Sequence, residues 1–174
     1  QDRLSQALAN ARRSENPFTL IFIDLDKFKQ INDINGHQAG DQVLQVVGKR
    51  LAAAVREIDT VARLGGDEFV VIAPTLRGAA NIGRLCNKLI EAVIQPISFG
   101  GHDLHVGASL GCAEYPCLGC ETSACRKCSD YPCEEIEESI LLRNADRAMY
   151  QAKKTGGNSY VLYMAGETPP VSPS

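Results

Sequence analysis

TVARLGGDEFVVIA, residues Thr60 to Ala73, places two apolar runs on either side of a Gly-Gly pair and then two adjacent carboxylates. The runs are short and rich in Val, Ile and Phe, and glycine lets a chain reverse tightly. The stretch therefore reads as a β-hairpin turning at Gly65 and Gly66, with Asp67 and Glu68 at or just past its tip. On its own that is a polar hairpin tip.

Upstream, FTLIFIDLD (Phe18 to Asp26) has the length and β-branched content of a buried strand. Asp24 and Asp26 stand two residues apart, so they point to one face while Ile23 and Leu25 point to the other. Alone, the pair is a solvated strand end. If the hairpin pairs beside this strand, Asp24 and Asp67 converge, and converging carboxylates repel unless a cation joins them. A small set of hard oxygen ligands suits Mg²⁺, which keeps several waters and takes further ligands from phosphates.

Helical spacing fills the intervals. Leu4, Leu8 and Ala11 recur at the N-terminus. Val43, Leu44, Val47 and Leu51 follow Asp41, which is placed as an N-cap. Ile82, Leu85, Leu89 and Val93 share a face, and SILLRNADRAMYQAKK is strongly amphipathic. HDLHVGASLGCAEY and SYVLYM add strands. Helices alternating with strands around an embedded hairpin predict an α/β domain with a mixed, largely antiparallel central sheet flanked by helices. Cys86 and Cys112 fall on apolar patterns and read as core.

The 174 residues fit one domain, and 44% hydrophobic content supplies a sizeable, mainly aliphatic core. A net charge of −3 argues against a broad nucleic-acid surface. No apolar run approaches the roughly 18 residues of a membrane span. The expectation is a cytoplasmic domain without direct membrane contact, cut from a longer protein that could itself be membrane-anchored. The tail GETPPVSPS reads as a linker over 165–174. Between strand and hairpin, DKFKQINDINGHQAGD is dense in turn-forming and polar residues. Lys29 could neutralise phosphate, and Asn32 and Asp41 carry groups suited to a purine edge; turn chemistry and capping are the plain alternative, and His37 reads as structural.

Taken together, DLDKFKQINDINGHQAGD, RLGGDEF, SLG (Ser109 to Gly111) and ADRAMYQAKKTGGN (Ala145 to Asn158) resemble the GGDEF domain of diguanylate cyclases. The resemblance covers about Phe18 to Tyr163, with the domain expected over 1–164. It implies a palm-like fold related to nucleotide cyclases. It also implies condensation of two GTP into cyclic di-GMP and pyrophosphate, with one GTP per subunit and a homodimer at the catalytic step. By the same resemblance, Asp24, Asp67 and the Leu25 carbonyl bind Mg²⁺ or Mn²⁺, and Glu68 is the second acid of the signature. Phe28, Lys29 and Lys153 lie near the triphosphate, Asn32 and Asp41 recognise guanine, and Gly65 and Gly66 lie against the nucleotide. Asp67, Glu68 and Lys153 are the implied catalytic set. Arg63 matches the residue that usually precedes the signature.

Seven residues before that signature, REID (Arg56 to Asp59) matches the family's RxxD product-inhibition motif. An Arg fork can bind a guanine edge or a phosphate, and Asp can accept from guanine. Arg84 or Lys88 on the following helix could contribute. The plain alternative is a surface ion pair.

The chain departs from the family pattern twice. The usual A-K-x-x-G-R-N reads AKKTGGN, so Gly157 stands where an Arg adds positive charge near the phosphates. This leaves open a degenerate domain that binds GTP or cyclic di-GMP and regulates a neighbour without turnover. The second departure is an apparent insertion at about 116–134, holding Cys117, Cys120, Cys125, Cys128 and Cys133. Two CxxC pairs could make a Cys₄ zinc site, although their separation is short for a zinc ribbon. A fragment of iron–sulfur spacing, disulfides or free thiols are the alternatives.

Overall fold

The computed structural model describes residues 2–14, 16–115 and 137–164. The five cysteines of the insertion and the tail over 165–174 lie outside them. The order is α1 (Asp2–Ser14), β1 (Phe18–Asp26), α2 (Phe28–Asn35), α3 (His37–Ala54), β2 (Thr60–Gly65), β3 (Glu68–Pro74), α4 (Ala79–Val93), β4 (Ile97–Phe99), β5 (His102–Leu104), β6 (Gly107–Tyr115), α5 (Glu138–Lys154) and β7 (Ser159–Leu162).

The sheet order is β2-β3-β1-β6-β7, and β4 with β5 forms a separate two-stranded ribbon. Every pairing in the main sheet is antiparallel except β6 with β7. β1 lies in the centre because it is apolar on both faces. Ile21, Ile23 and Leu25 pack into a core with residues of α2, α3 and α4. Phe18, Leu20 and Phe22 pack on the other face with α1 and α5. Alternation along β1 then carries Asp24 and Asp26 onto the α5 face.

Three features differ from the sequence expectation. Asp41 is not an N-cap: α3 begins at His37 after Gly36, and Asp41 lies more than a turn inside it. Phe28 to Asn35 is a helix despite its turn-like composition, because Phe28 and Ile31, three apart, both bury into the core. The hairpin turns at Gly66 and Asp67, since Gly65 still pairs with Glu68 as the last residue of β2.

Cys86 and Cys112 are both buried, with their sulfurs 3.2 Å apart between α4 and β6. Glu114 is also buried and accepts from the Gly78 N–H at 3.3 Å just before α4. Burial pushes its carboxyl above the usual 4.5; the Gly78 N–H and the Arg77 charge oppose the shift. A raised folded-state value means that the folded protein holds the proton more tightly than the unfolded chain. That contribution is full below 4.5 and is lost as pH rises through the folded value. Glu114→Gln, which keeps an acceptor for Gly78, is therefore expected to melt higher than the parent at pH 8, with the gap closing toward pH 4.5. Thermal unfolding at both pH values tests this, and a lower-melting variant at pH 8 contradicts it.

Candidate active site

The site lies where β1 ends, α2 starts and the β2–β3 hairpin turns. In the β1–β3 register Asp24 stands opposite Glu68, and the Leu25 N–H donates to the Asp67 carbonyl at 3.3 Å. The strand carrying Asp24 and Leu25 thus meets the tip carrying Asp67. Gly66 takes φ +51 to make that tip, and Arg63 Nε donates to the Gly66 carbonyl at 2.9 Å, bracing the turn. Gly66 is exposed, while Asp67 and Glu68 are half-buried.

Asp24 is buried at 7% exposure, and this decides its electrostatics. Burial raises its carboxyl above the usual 3.8 against the opposing pull of Lys153, and Asp67 and Asp26 add to the rise. Glu68 is raised as well, first by burial and then by Asp24, Asp67 and Asp146. Lys153, near the end of α5, brings Nζ to 2.7 Å from Asp24 Oδ1. This ion pair only partly offsets the cost of burying Oδ1. A buried carboxylate oxygen in this condition, beside two further acids, is what a hard divalent cation relieves. Among the described residues no group of three or more His, Cys, Asp or Glu side chains forms a self-sufficient metal site. The donor set fits an ion such as Mg²⁺ that leaves positions for water and phosphate.

α2 begins two residues after Asp26, so Phe28 and Lys29 occupy its first turn beside the carboxylates. The first N–H groups of a helix have no intrahelical acceptor and favour anions. The Phe28 ring is buried, and the Lys29 side chain is exposed. The Asn32 side chain lies over Gly40 of α3 so closely that a Cβ there would collide with it. This puts Asn32 next to Asp41, which is exposed. Asp24, Asp67, Phe28, Lys29, Asn32 and Asp41 therefore gather near the C-terminal end of β1.

Arg56 and Asp59 lie elsewhere. Asp59 accepts from the Arg56 N–H at 2.9 Å, closing a turn before β2. Both line a cavity of about 290 Å³ with Asn81, Arg84 and Lys88. Arg84 and Lys88 both reach it, so the geometry does not choose between them. Ala73 also lines it, five residues along β3 from Glu68, or about 17 Å of strand.

A family model described as "Diguanylate cyclase, GGDEF domain" matches residues 1–159. The chain belongs to the GGDEF family. MucR of Pseudomonas aeruginosa, named a bifunctional diguanylate cyclase/cyclic di-GMP phosphodiesterase, is 39% identical over 162 residues, covering 93% of this chain and 21% of MucR. The GGDEF domain of YfiN (TpbB) from the same species superimposes with a TM-score of 0.79 at 36% identity, covering 95% of this chain and 93% of that one. The GGDEF domain of DgcB from Caulobacter crescentus, solved in complex with c-di-GMP, matches with a TM-score of 0.77 at 26% identity, covering 93% of this chain and 86% of that one. The palm-like α/β fold expected from the signature residues is the fold these GGDEF structures share.

The partners of Asp26 on the α5 face were not legible in the sequence. Asp26 accepts from Ser109 Oγ at 2.7 Å and from the Asn158 N–H at 2.9 Å. The DxD spacing signalled its face, but nothing in the sequence paired it with residues 83 and 132 positions away. Among the described residues no helix is long and apolar enough to cross a membrane.

Proposed function

We propose that this domain, residues 1–164, condenses two molecules of GTP into cyclic di-GMP with release of two pyrophosphates. The observation that carries the reading is the buried Asp24 carboxylate, opposed by Glu68 and Asp67 across β1 and β3 and faced by Lys153. Each 3′-hydroxyl attacks the α-phosphorus of the other GTP, forming one P–O bond while the bond to pyrophosphate breaks. This needs positioning and charge neutralisation more than covalent help from the protein.

Asp24, Asp67 and the Leu25 carbonyl would hold Mg²⁺ or Mn²⁺. When bound, the ion neutralises phosphate charge and lowers the barrier to hydroxyl ionisation. Lys153, beside Asp24, would set its charge toward the triphosphate. Phe28 and Lys29 bind phosphate oxygens through the first turn of α2 and the Lys29 ammonium. Asn32 and Asp41 read the guanine edge; a carboxylate accepts two N–H bonds from guanine and none from the adenine face at the same place. One chain supplies one GTP site, so the reaction needs two subunits facing each other. Pyrophosphate release from GTP should then rise more steeply than linearly with protein concentration. Strict proportionality down to high dilution contradicts the two-subunit step.

Product binding in the cavity of Arg56, Asp59, Arg84 and Lys88 would inhibit, since three cations against one carboxylate suit a dianionic ligand with guanine edges. Arg56→Ala is expected to raise the cyclic di-GMP concentration for half-inhibition by about tenfold or more, with initial rates unchanged. Initial-rate assays with added product check this, and unchanged inhibition contradicts the site.

A second reading is favoured by Gly157: a domain that binds GTP or cyclic di-GMP and signals to a neighbour without turnover. Calorimetric binding of GTP with no pyrophosphate release at any protein concentration would select it.

A further inference from the structure

The turn after α5 is built around the Asp26 carboxylate. Gly156, Gly157 and Asn158 all take positive φ, at +112, +77 and +48; the first two N–H groups close the helix end on the Lys153 and Ala152 carbonyls, and the third turns to Asp26. The Asn158 N–H donates to Asp26 Oδ2 at 2.9 Å, and Ser109 Oγ donates to Oδ1 at 2.7 Å. The Asn158 side chain accepts from the Ala108 N–H at 3.1 Å, which ties the turn to β6 as well. A Cβ on Gly157 would stand 2.6 Å from Asp26 Oδ2, so the carboxylate fills the space that a side chain there would need.

The other end of the same turn is Lys153. Its carbonyl accepts from the Gly156 N–H at 3.2 Å, and its ammonium lies 2.7 Å from Asp24 Oδ1. The chain of contacts closes on itself, from Asp24 through Lys153 and the turn to Asp26, two residues along the same strand. Gly156 and Gly157 close the helix end on the Lys153 and Ala152 carbonyls, and the Asn158 N–H bond to Asp26 ties that end of the turn to β1, the strand that carries Asp24.

We propose that Asp26 is a positioning residue, holding the turn after α5 so that Lys153 stays aimed at Asp24 and at phosphate bound there. Gly157 is then the residue this arrangement requires in this chain, and an added side chain at that position opens the turn and displaces Lys153. The phosphate-directed part of the inference rests on the cyclase reading; the placement of Lys153 does not.

The test uses Asp26→Asn, which preserves size while presenting an amide where two donors converge, and Gly157→Ala, which disturbs the same contact from the opposite side. In protein labelled with ¹³C-lysine, the Lys153 ε-carbon, assigned by its loss in Lys153→Ala, should relax as an ordered group in the parent. In both variants it should move toward the behaviour of the exposed Lys49 while the other lysine signals stay close to the parent's, with a lower melting temperature for Gly157→Ala, whose residue sits at φ +77. A Lys153 signal unchanged in either variant overturns the proposal. In turnover, Asp26→Asn should lower kcat/KM for GTP about tenfold in the parent but less than twofold in a Lys153→Ala background, because residues acting through one another do not add. Additive losses would make Asp26 a structural residue only and overturn the proposal. A parent that makes no product overturns the cyclase reading instead, and the lysine relaxation still decides the role of Asp26.

Discussion

Asp24→Asn should lower cyclic di-GMP formation by at least about 10³-fold, because it removes the charge on which metal and phosphate binding depend. The same change should leave the protein free of metal and nucleotide at least as stable as the parent at neutral pH. In the parent a carboxylate at 7% exposure is held among Asp26, Asp67 and Glu68, with Lys153 as partial compensation. A neutral amide removes a desolvated charge and leaves behind only Lys153, whose side chain is 36% exposed and can hydrate. The pattern is that of a site whose strain is relieved by its ligand. The variants should therefore cross over. With GTP and Mg²⁺ the parent gains stability by ligand binding, about 2.7 kcal/mol at a hundred times the dissociation constant, and Asp24→Asn gains little. Melting curves with and without GTP and Mg²⁺, read beside the turnover, check both halves. A variant that melts well below the parent in the absence of ligands would mean that Asp24 is structural.

Ile21→Ala should have the largest effect on stability, a loss of about 3 kcal/mol, or roughly 10 °C in Tm. Ile21 is fully buried in the middle of the central strand, paired to Val71 on one side and Cys112 on the other. Its side chain belongs to the core shared with α3 and α4, where two fixed neighbouring strands limit how far the hole can collapse. Denaturant unfolding measures it. A loss below about 1 kcal/mol would mean that this core repacks freely, contrary to the two-faced packing of β1.

The same strand explains what could be read from the sequence. β1 and the hairpin were legible because their patterns are local: a nine-residue apolar run ending in an acidic pair, and two β-branched runs meeting at glycines. The meeting of the Asp24 strand end with the tip carrying Asp67 followed once those two were set side by side. α2 was not legible, because its helix rests on burying only Phe28 and Ile31 amid Asn and Asp that favour turns. Asp41 looked like a cap since it precedes the periodic run, but α3 starts a full turn earlier, at a glycine with no capping side chain. The Lys153–Asp24 pair and the Asp26 turn were hidden for another reason. They join residues more than a hundred positions apart, and one donor is a backbone N–H that no side-chain pattern announces.

The most direct measurement incubates concentrated protein with GTP and Mg²⁺ and identifies the products by mass spectrometry, with Asp67→Ala in parallel. The account predicts cyclic di-GMP from the parent and none from the variant. No cyclic di-GMP from the parent, or equal amounts from both, would contradict it.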